Sequence, residues 1–168
     1  MERKANITIQ PLDRSREDLV DLVARRMRDT LIEVLGPTRG ASMYSLDWLR
    51  DRVRFHLDPD ARRAAVLLSH DSAGDVVGHT ILRLEKRDGG PLLGLFSTTY
   101  VTHAARRSGV AGRLLEEGEK WLIARGATTL ATDTDEKNLP LRNLYEKRGY
   151  SVVFHDPNSQ MIRLARVV

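Results

Sequence analysis

The spacing of apolar residues along this chain changes several times, and each change marks a boundary between helix and strand. ITIQ at residues 7–10 alternates and predicts a first strand. Beyond Ser15, the residues Leu19, Val23, Met27, Leu31 and Leu35 recur every four positions, the spacing of one helical face, and Gly36-Pro37 stops it. Trp48, Leu49, Val53 and Leu57 predict a second helix ending near Pro59. From Arg63 the period shifts. AAVLLSH, DVVGHTILRLEK and PLLGLFSTTYVTH read as three strands divided by DSAGD and RDGG turns, an antiparallel meander.

Val110, Leu114, Gly118, Trp121 and Leu122 then form a helical stripe, with Gly126 as its C-terminal stop. TTLATDT predicts a strand. Asn138 caps a short helix bearing Leu141, Leu144 and Tyr145, with Lys147 and Arg148 in its last turn and Gly149 after it. YSVVFH and QMIRLARV close the chain as a hairpin around DPNS. The expected fold is α/β in the order β-α-α-β-β-β-α-β-α-β-β. It is a mixed, mostly antiparallel sheet of about seven strands flanked by four helices. No repeat, low-complexity tract or linker interrupts it, so residues 1–168 read as one domain.

Composition narrows the chemistry. At 41% hydrophobic and 30% charged residues the chain suits a globular domain that buries a real core. It has no cysteine, which removes disulfides and thiolate chemistry and favours a reducing, cytoplasmic setting. MERKANITIQPLDRS lacks the apolar core of a signal peptide, and no apolar run approaches a membrane span, so no membrane partner is expected. The net charge of +4 suits an anionic ligand. In RRMRD and RDRVRFH the arginines alternate with acids and core positions, as on a solvated amphipathic helix, and no nucleic-acid partner is expected. His56, His70, His79, His103 and His155 are scattered without metal-ligand spacing, so no metal is expected. No Gly-x-Ser-x-Gly elbow supports a serine hydrolase.

The stretch RRSGVAGRLL at residues 106–115 sets an unusual helix start, with Ser108, Gly109, Ala111 and Gly112 where stronger helix formers would serve. A strand running into such a turn is a ready anion site, because the first N–H groups of a helix lack internal partners and carry its positive dipole end. Small residues let a phosphate reach them, and Arg106, Arg107 and Arg113 add charge. The alternative is close packing of the helix on its sheet. No Gly-Lys-Ser/Thr follows, so this is not a P-loop, and the glycine spacing is not that of a dinucleotide fingerprint.

VTHAARRSGVAGRLL resembles the acyl-CoA-binding motif of the GNAT superfamily, the acyl-CoA-dependent N-acetyltransferases. That motif runs arginine or glutamine, two residues, glycine, one residue, glycine or alanine, here Arg106 to Ala111. NLPLRNLYEKRGYSVV is similar to the family's second signature through Asn138, Leu144, Tyr145, Glu146, Lys147, Gly149 and Tyr150. One departure is His103, where the family often has proline.

The resemblance implies acetyl-CoA, or CoA, as co-substrate. Backbone amides from Arg107 through Gly112, with Val110 and Ala111 between, would hold its pyrophosphate. The Tyr100-Val101 backbone would hold the pantetheine arm, and Asn138 would meet the arm from the other side. The sheet is expected to splay between this strand and the one ending near Asp133. Tyr145 matches the family's general acid. Asp133 and Asp135 alternate along a strand end, and Asp133 is the candidate base. In the family the acceptor is shaped by the first helices and their connection, here GPTRGASMYS. Arg39 could pair with an acceptor carboxylate, and Tyr44 or Trp48 could form a wall.

The expected activity is transfer of an acetyl group to a primary amine of a small molecule or peptide. The rival reading is a GNAT-like domain that binds CoA as a ligand or sensor. The apolar ending MIRLARVV suits an interior strand or a homodimer contact.

Overall fold

In a computed structural model, which describes residues 6–59, 63–86 and 88–168, the chain folds as one mixed sheet with helices on both faces. The elements are β1 (Thr8–Pro11), α1 (Glu17–Leu35), α2 (Pro37–Met43), α3 (Leu46–Leu57), β2 (Ala64–His70), β3 (Val76–Lys86) and β4 (Leu92–Val101). A 3-10 turn (His103–Ala105) leads to α4 (Val110–Ala124), β5 (Thr129–Asp135), α5 (Leu139–Lys147), β6 (Ser151–His155) and β7 (Met161–Val167). Arg87, which opens the expected RDGG turn, lies outside the described residues.

The sequence predicts four flanking helices; the described residues form five α-helices. The added one is α2, within GPTRGASMYS. Pro37 sits in its first turn, where a missing N–H costs nothing, and Gly40 is buried against α1. A Cβ at Gly40 would run into the backbone of Leu31 and Ile32. The glycine that makes the segment read as a loop is there so that two helices can touch. The Ser45 side chain then accepts a bond from the Trp48 amide and starts α3.

The sheet runs β1-β2-β3-β4-β5-β7-β6 and is antiparallel except between β4 and β5. Side-chain alternation divides the core between its faces. Val66, Leu68 and Ile81 pack with Val20, Val23, Met27, Leu49 and Val53 of α1 and α3. Leu67, Leu82 and Leu84 pack with Leu114, Leu115, Leu122 and Tyr145 of α4 and α5. Gly118 lets α4 lie low on the sheet, for a Cβ there would come within 2.6 Å of the Phe96 ring. Glu119, buried on α4, receives Arg148 and Arg166, which ties the ends of α5 and β7 to that helix and neutralises the buried charge. The ending MIRLARVV is an interior strand, flanked by β5 and β6. No helix among the described residues is long and apolar enough to cross a membrane.

The parallel seam is short. β4 pairs with β5 only from Leu93 to Phe96, against Thr129 to Thr132, and then continues to Val101 paired with β3 on its other side. A bulge marks the parting: Ile81 faces Thr98 and Leu82 faces Phe96, so Ser97 is the extra residue that bends β4 away.

Candidate active site

Two cavities meet at this parting. The larger, of about 860 Å³, runs from the open side of β4 across the start of α4 to α5. Its floor is backbone. The amide of Thr102 donates to Val77 at 2.9 Å, which fixes the alternation of the β3–β4 ladder: Tyr100 and Thr98 bond across to β3, whereas Thr99 and Val101 turn their backbone groups toward the side that β5 has left. Of the expected pair, Val101 therefore offers backbone to this groove and Tyr100 offers its ring, stacked on buried His79 at 5.8 Å.

At the helix start, the amides of residues 107–112 donate to no backbone acceptor among the described residues; the first bond is Arg113 to the Gly109 carbonyl at 3.1 Å. Gly109 caps α4 with φ of 83°, a left-handed conformation that favours glycine, and Arg107 shares it at 63°. A Cβ at Gly112 would meet nothing within 4 Å, so its space is open toward the groove. Val110 is buried beneath, anchoring the turn, and the Ser108 hydroxyl donates to the Ala105 carbonyl.

The arginines divide into two roles. Arg106 forks onto Glu33 at 2.6 and 2.9 Å, and its Nε donates to the Val101 carbonyl at 2.8 Å. It latches α1 to the end of β4, and its charge is already offset; the same contact holds the Glu33 carboxyl below the usual carboxylate range. Arg113 donates to the Ile7 carbonyl at 2.7 Å and is likewise occupied. Arg107, Lys137 and Lys147 line the groove without an ion pair among the described residues. Lys137, Pro140 and Asn143 were not singled out from sequence, and Leu144 and Lys147 were named there only for their helix and its signature. The spacing 140, 143, 144, 147 of one helical face was the available signal.

Asn138 lines the groove but is also structural: its Oδ1 accepts from the Leu141 amide at 3.4 Å and its Nδ2 donates to Thr134 at 3.3 Å. Tyr145 is fully buried, edge-on to Phe96 and Tyr150. Its hydroxyl lies toward Thr99 of β4 and Thr132 of β5, the strands that part there, yet makes no full hydrogen bond among the described residues. Burial pushes the phenol well above its ordinary range, so it keeps its proton.

The smaller cavity, of about 310 Å³, lies on the α1–α3 side of the parting and shares Thr30 with the groove. Tyr44 and Trp48 stack at 4.1 Å as one aromatic wall. Asp133 lines it, both oxygens held by the Arg163 fork at 2.7 and 2.8 Å. Asp135 instead accepts the Lys137 amide in a turn. Arg39 is exposed on α2 and lines neither cavity; the arginines that line the smaller one are Arg52 and Arg83, which sequence reasoning missed because no local motif marks them as a site.

The family described as "Acetyltransferase (GNAT) family" matches residues 25–150. Over 115 residues the chain is 30% identical to streptothricin acetyltransferase of Escherichia coli, covering 68% of this chain and 60% of that protein. Over 60 residues it is 37% identical to aminoglycoside N(6')-acetyltransferase type 1 of Serratia marcescens, covering 33% of this chain and 41% of that protein. The chain thus spans less than two thirds of the length of either relative. In fold it is similar to a chain of the NatC complex bound to Gag peptide and CoA, with TM-score 0.77, 18% identity, and 96% and 98% of the two chains covered.

Proposed function

Because the chain belongs to the GNAT acetyltransferase family, we propose that it transfers the acetyl group of acetyl-CoA to a primary amine by direct attack. The observation that carries the reading is the run of unpaired amides at residues 107–112, opening onto a groove that follows the free side of β4 to its parting from β5. A pyrophosphate suits this cradle: the donors are unpaired, the dipole favours an anion, and the Gly112 position leaves room. Arg107, Lys137 and Lys147 supply the positive charge for the phosphates, and the backbone of Thr99 and Val101 supplies strand-like bonds for the arm.

Bound there, acetyl-CoA brings an acetyl group activated as a thioester. The chain's own residues do the rest. The amine enters through the smaller cavity, between the Tyr44–Trp48 wall and Asp133, so donor and acceptor approach from opposite faces of the sheet. Asp133, fixed by Arg163, takes the amine's proton through water. Tyr145 lines neither cavity, but its hydroxyl lies at the parting of the strands. It is the group assigned to protonate the sulfur that leaves, although burial makes it a weaker acid than a free phenol. The streptothricin and aminoglycoside relatives support an amine acceptor without naming the one used here.

Calorimetric titration with acetyl-CoA, CoA and ATP in parallel tests the cofactor half. Micromolar binding of both CoA species and much weaker binding of ATP is the expected result. Absence of CoA binding would mean that the turn at residues 107–112 is no phosphate cradle, and the transferase reading would fall.

A further inference from the structure

Resting on that reading, we propose that the smaller cavity selects a small amine that also carries a carboxylate, held by the guanidinium groups of Arg52 and Arg83. The charges on its walls are unbalanced. Asp133 is the one carboxylate among the lining residues, and the fork from Arg163 already neutralises it. Arg83 gives its Nε to Glu85 at 2.8 Å and one terminal nitrogen to Ser97 at 2.7 Å, which aims the group at the bulge where β4 leaves β5. Arg52 has no carboxylate partner among the described residues; its guanidinium lies 4.9 Å from the Phe55 ring centroid, half-buried. Burial and repulsion from Arg83 both lower its pKa, against the opposing charge of Glu85, which itself bonds to Arg83 rather than to Arg52. A planar guanidinium fork matches a carboxylate in shape as well as charge.

A histidine that lines the same cavity carries a second unfilled bond. His56 is 1% exposed and its Nδ1–H donates to the Arg52 carbonyl at 2.8 Å, which leaves the lone pair on Nε2. Nε2 has no partner among the described residues. Burial, with Arg52 and Arg83 nearby, depresses the ring's pKa to about 4, so it stays neutral and adds no charge to this wall. A volume of about 310 Å³ stands at the lower end of the 300–1,000 Å³ usual for small-molecule sites. Size and charge together disfavour an extended polycation.

The test titrates the protein, alone and loaded with CoA, with α-amino acids, with the matching α-carboxamides, and with spermidine. Carboxylates are expected to bind about tenfold or more tightly than carboxamides. Arg52→Gln should erase that preference while leaving CoA affinity unchanged, which also reports that the variant is folded; Arg83→Gln should reduce the preference. Four results overturn the inference: equal affinity for carboxylate and carboxamide, preference for spermidine, a preference that survives both substitutions, or no binding by any probe. If a carboxylate amine binds but is never acetylated in the presence of acetyl-CoA, the transferase reading falls and this one stands.

Discussion

The two cavities that meet at the parting of β4 and β5 are built from different materials. The larger is chiefly main chain: unpaired amides at the start of α4 and the free edge of β4. The smaller is chiefly side chain, drawn from α1, α3, β3, β4 and β5. A backbone site tolerates few sequences, since it demands small residues and positive φ in one contiguous stretch. A side-chain site can be assembled from any elements that the fold brings together. The first therefore leaves a motif and the second does not. The same contrast occurs within α4, where Gly112 faces open space and Gly118 faces the Phe96 ring. One leaves room for a ligand and the other for the sheet.

Gly112→Glu is the sharpest way to break the backbone site. Its side chain would enter the cradle with a negative charge, and no strain follows at this position because no Cβ contact exists. CoA binding should be lost beyond about 100-fold, with the thermal midpoint little changed; wild-type affinity by calorimetry would refute the cradle. Gly109→Glu would be a poorer test, because a φ of 83° strains any residue with a Cβ.

Tyr145→Phe probes the junction of the two sites. Its hydroxyl is buried without a full hydrogen bond, so its removal should leave stability equal or slightly higher. Turnover should fall about 100-fold with acetyl-CoA affinity unchanged. An unaltered kcat would show that Tyr145 fills space and donates no proton.

The smallest effect separates the cavities by pH. His56 lines the smaller one and His79 lies beneath Tyr100 of the larger; burial depresses their pKa values to about 4 and about 3, against an ordinary 6.5. As pH falls below 6.5 the unfolded chain takes up protons first. The stability these rings contribute is thus complete above that pH and is lost progressively toward their folded pKa values. By pH 5 the loss should reach about 2 kcal/mol for each histidine, read from urea denaturation between pH 7 and 5. His56→Leu should remove about half of the fall. A pH slope identical to that of the wild type would show that His56 is not held neutral by burial.

Much of the fold is legible in the residues themselves. Alternation in AAVLLSH and DVVGHTILRLEK sends successive side chains to opposite layers, and the four-residue recurrence of Val110, Leu114 and Gly118 lays α4 on the sheet. GPTRGASMYS escaped because its glycine and proline are signals of turn and of close helix contact alike, and only the neighbouring α1 decides between them. Arg39 drew attention as an arginine in an acceptor-side segment, yet α2 exposes it, whereas Arg52 and Arg83 lie on regular elements with no local mark. Arg106, counted from sequence among the phosphate-binding charges, is bound to Glu33, a residue distant in the chain.

By itself the sequence determined the order of the strands and of every helix but α2, and the character of the turn at residues 106–112, because periodicity and glycine conformation act between near neighbours. The length of the β4–β5 seam, the offset of Arg106 by Glu33, the burial of Tyr145 and the placing of Arg52 and Arg83 on one cavity wall were decided only by tertiary structure. These depend on which distant groups share a low-dielectric space, and charge and burial are properties of that shared space rather than of any one residue.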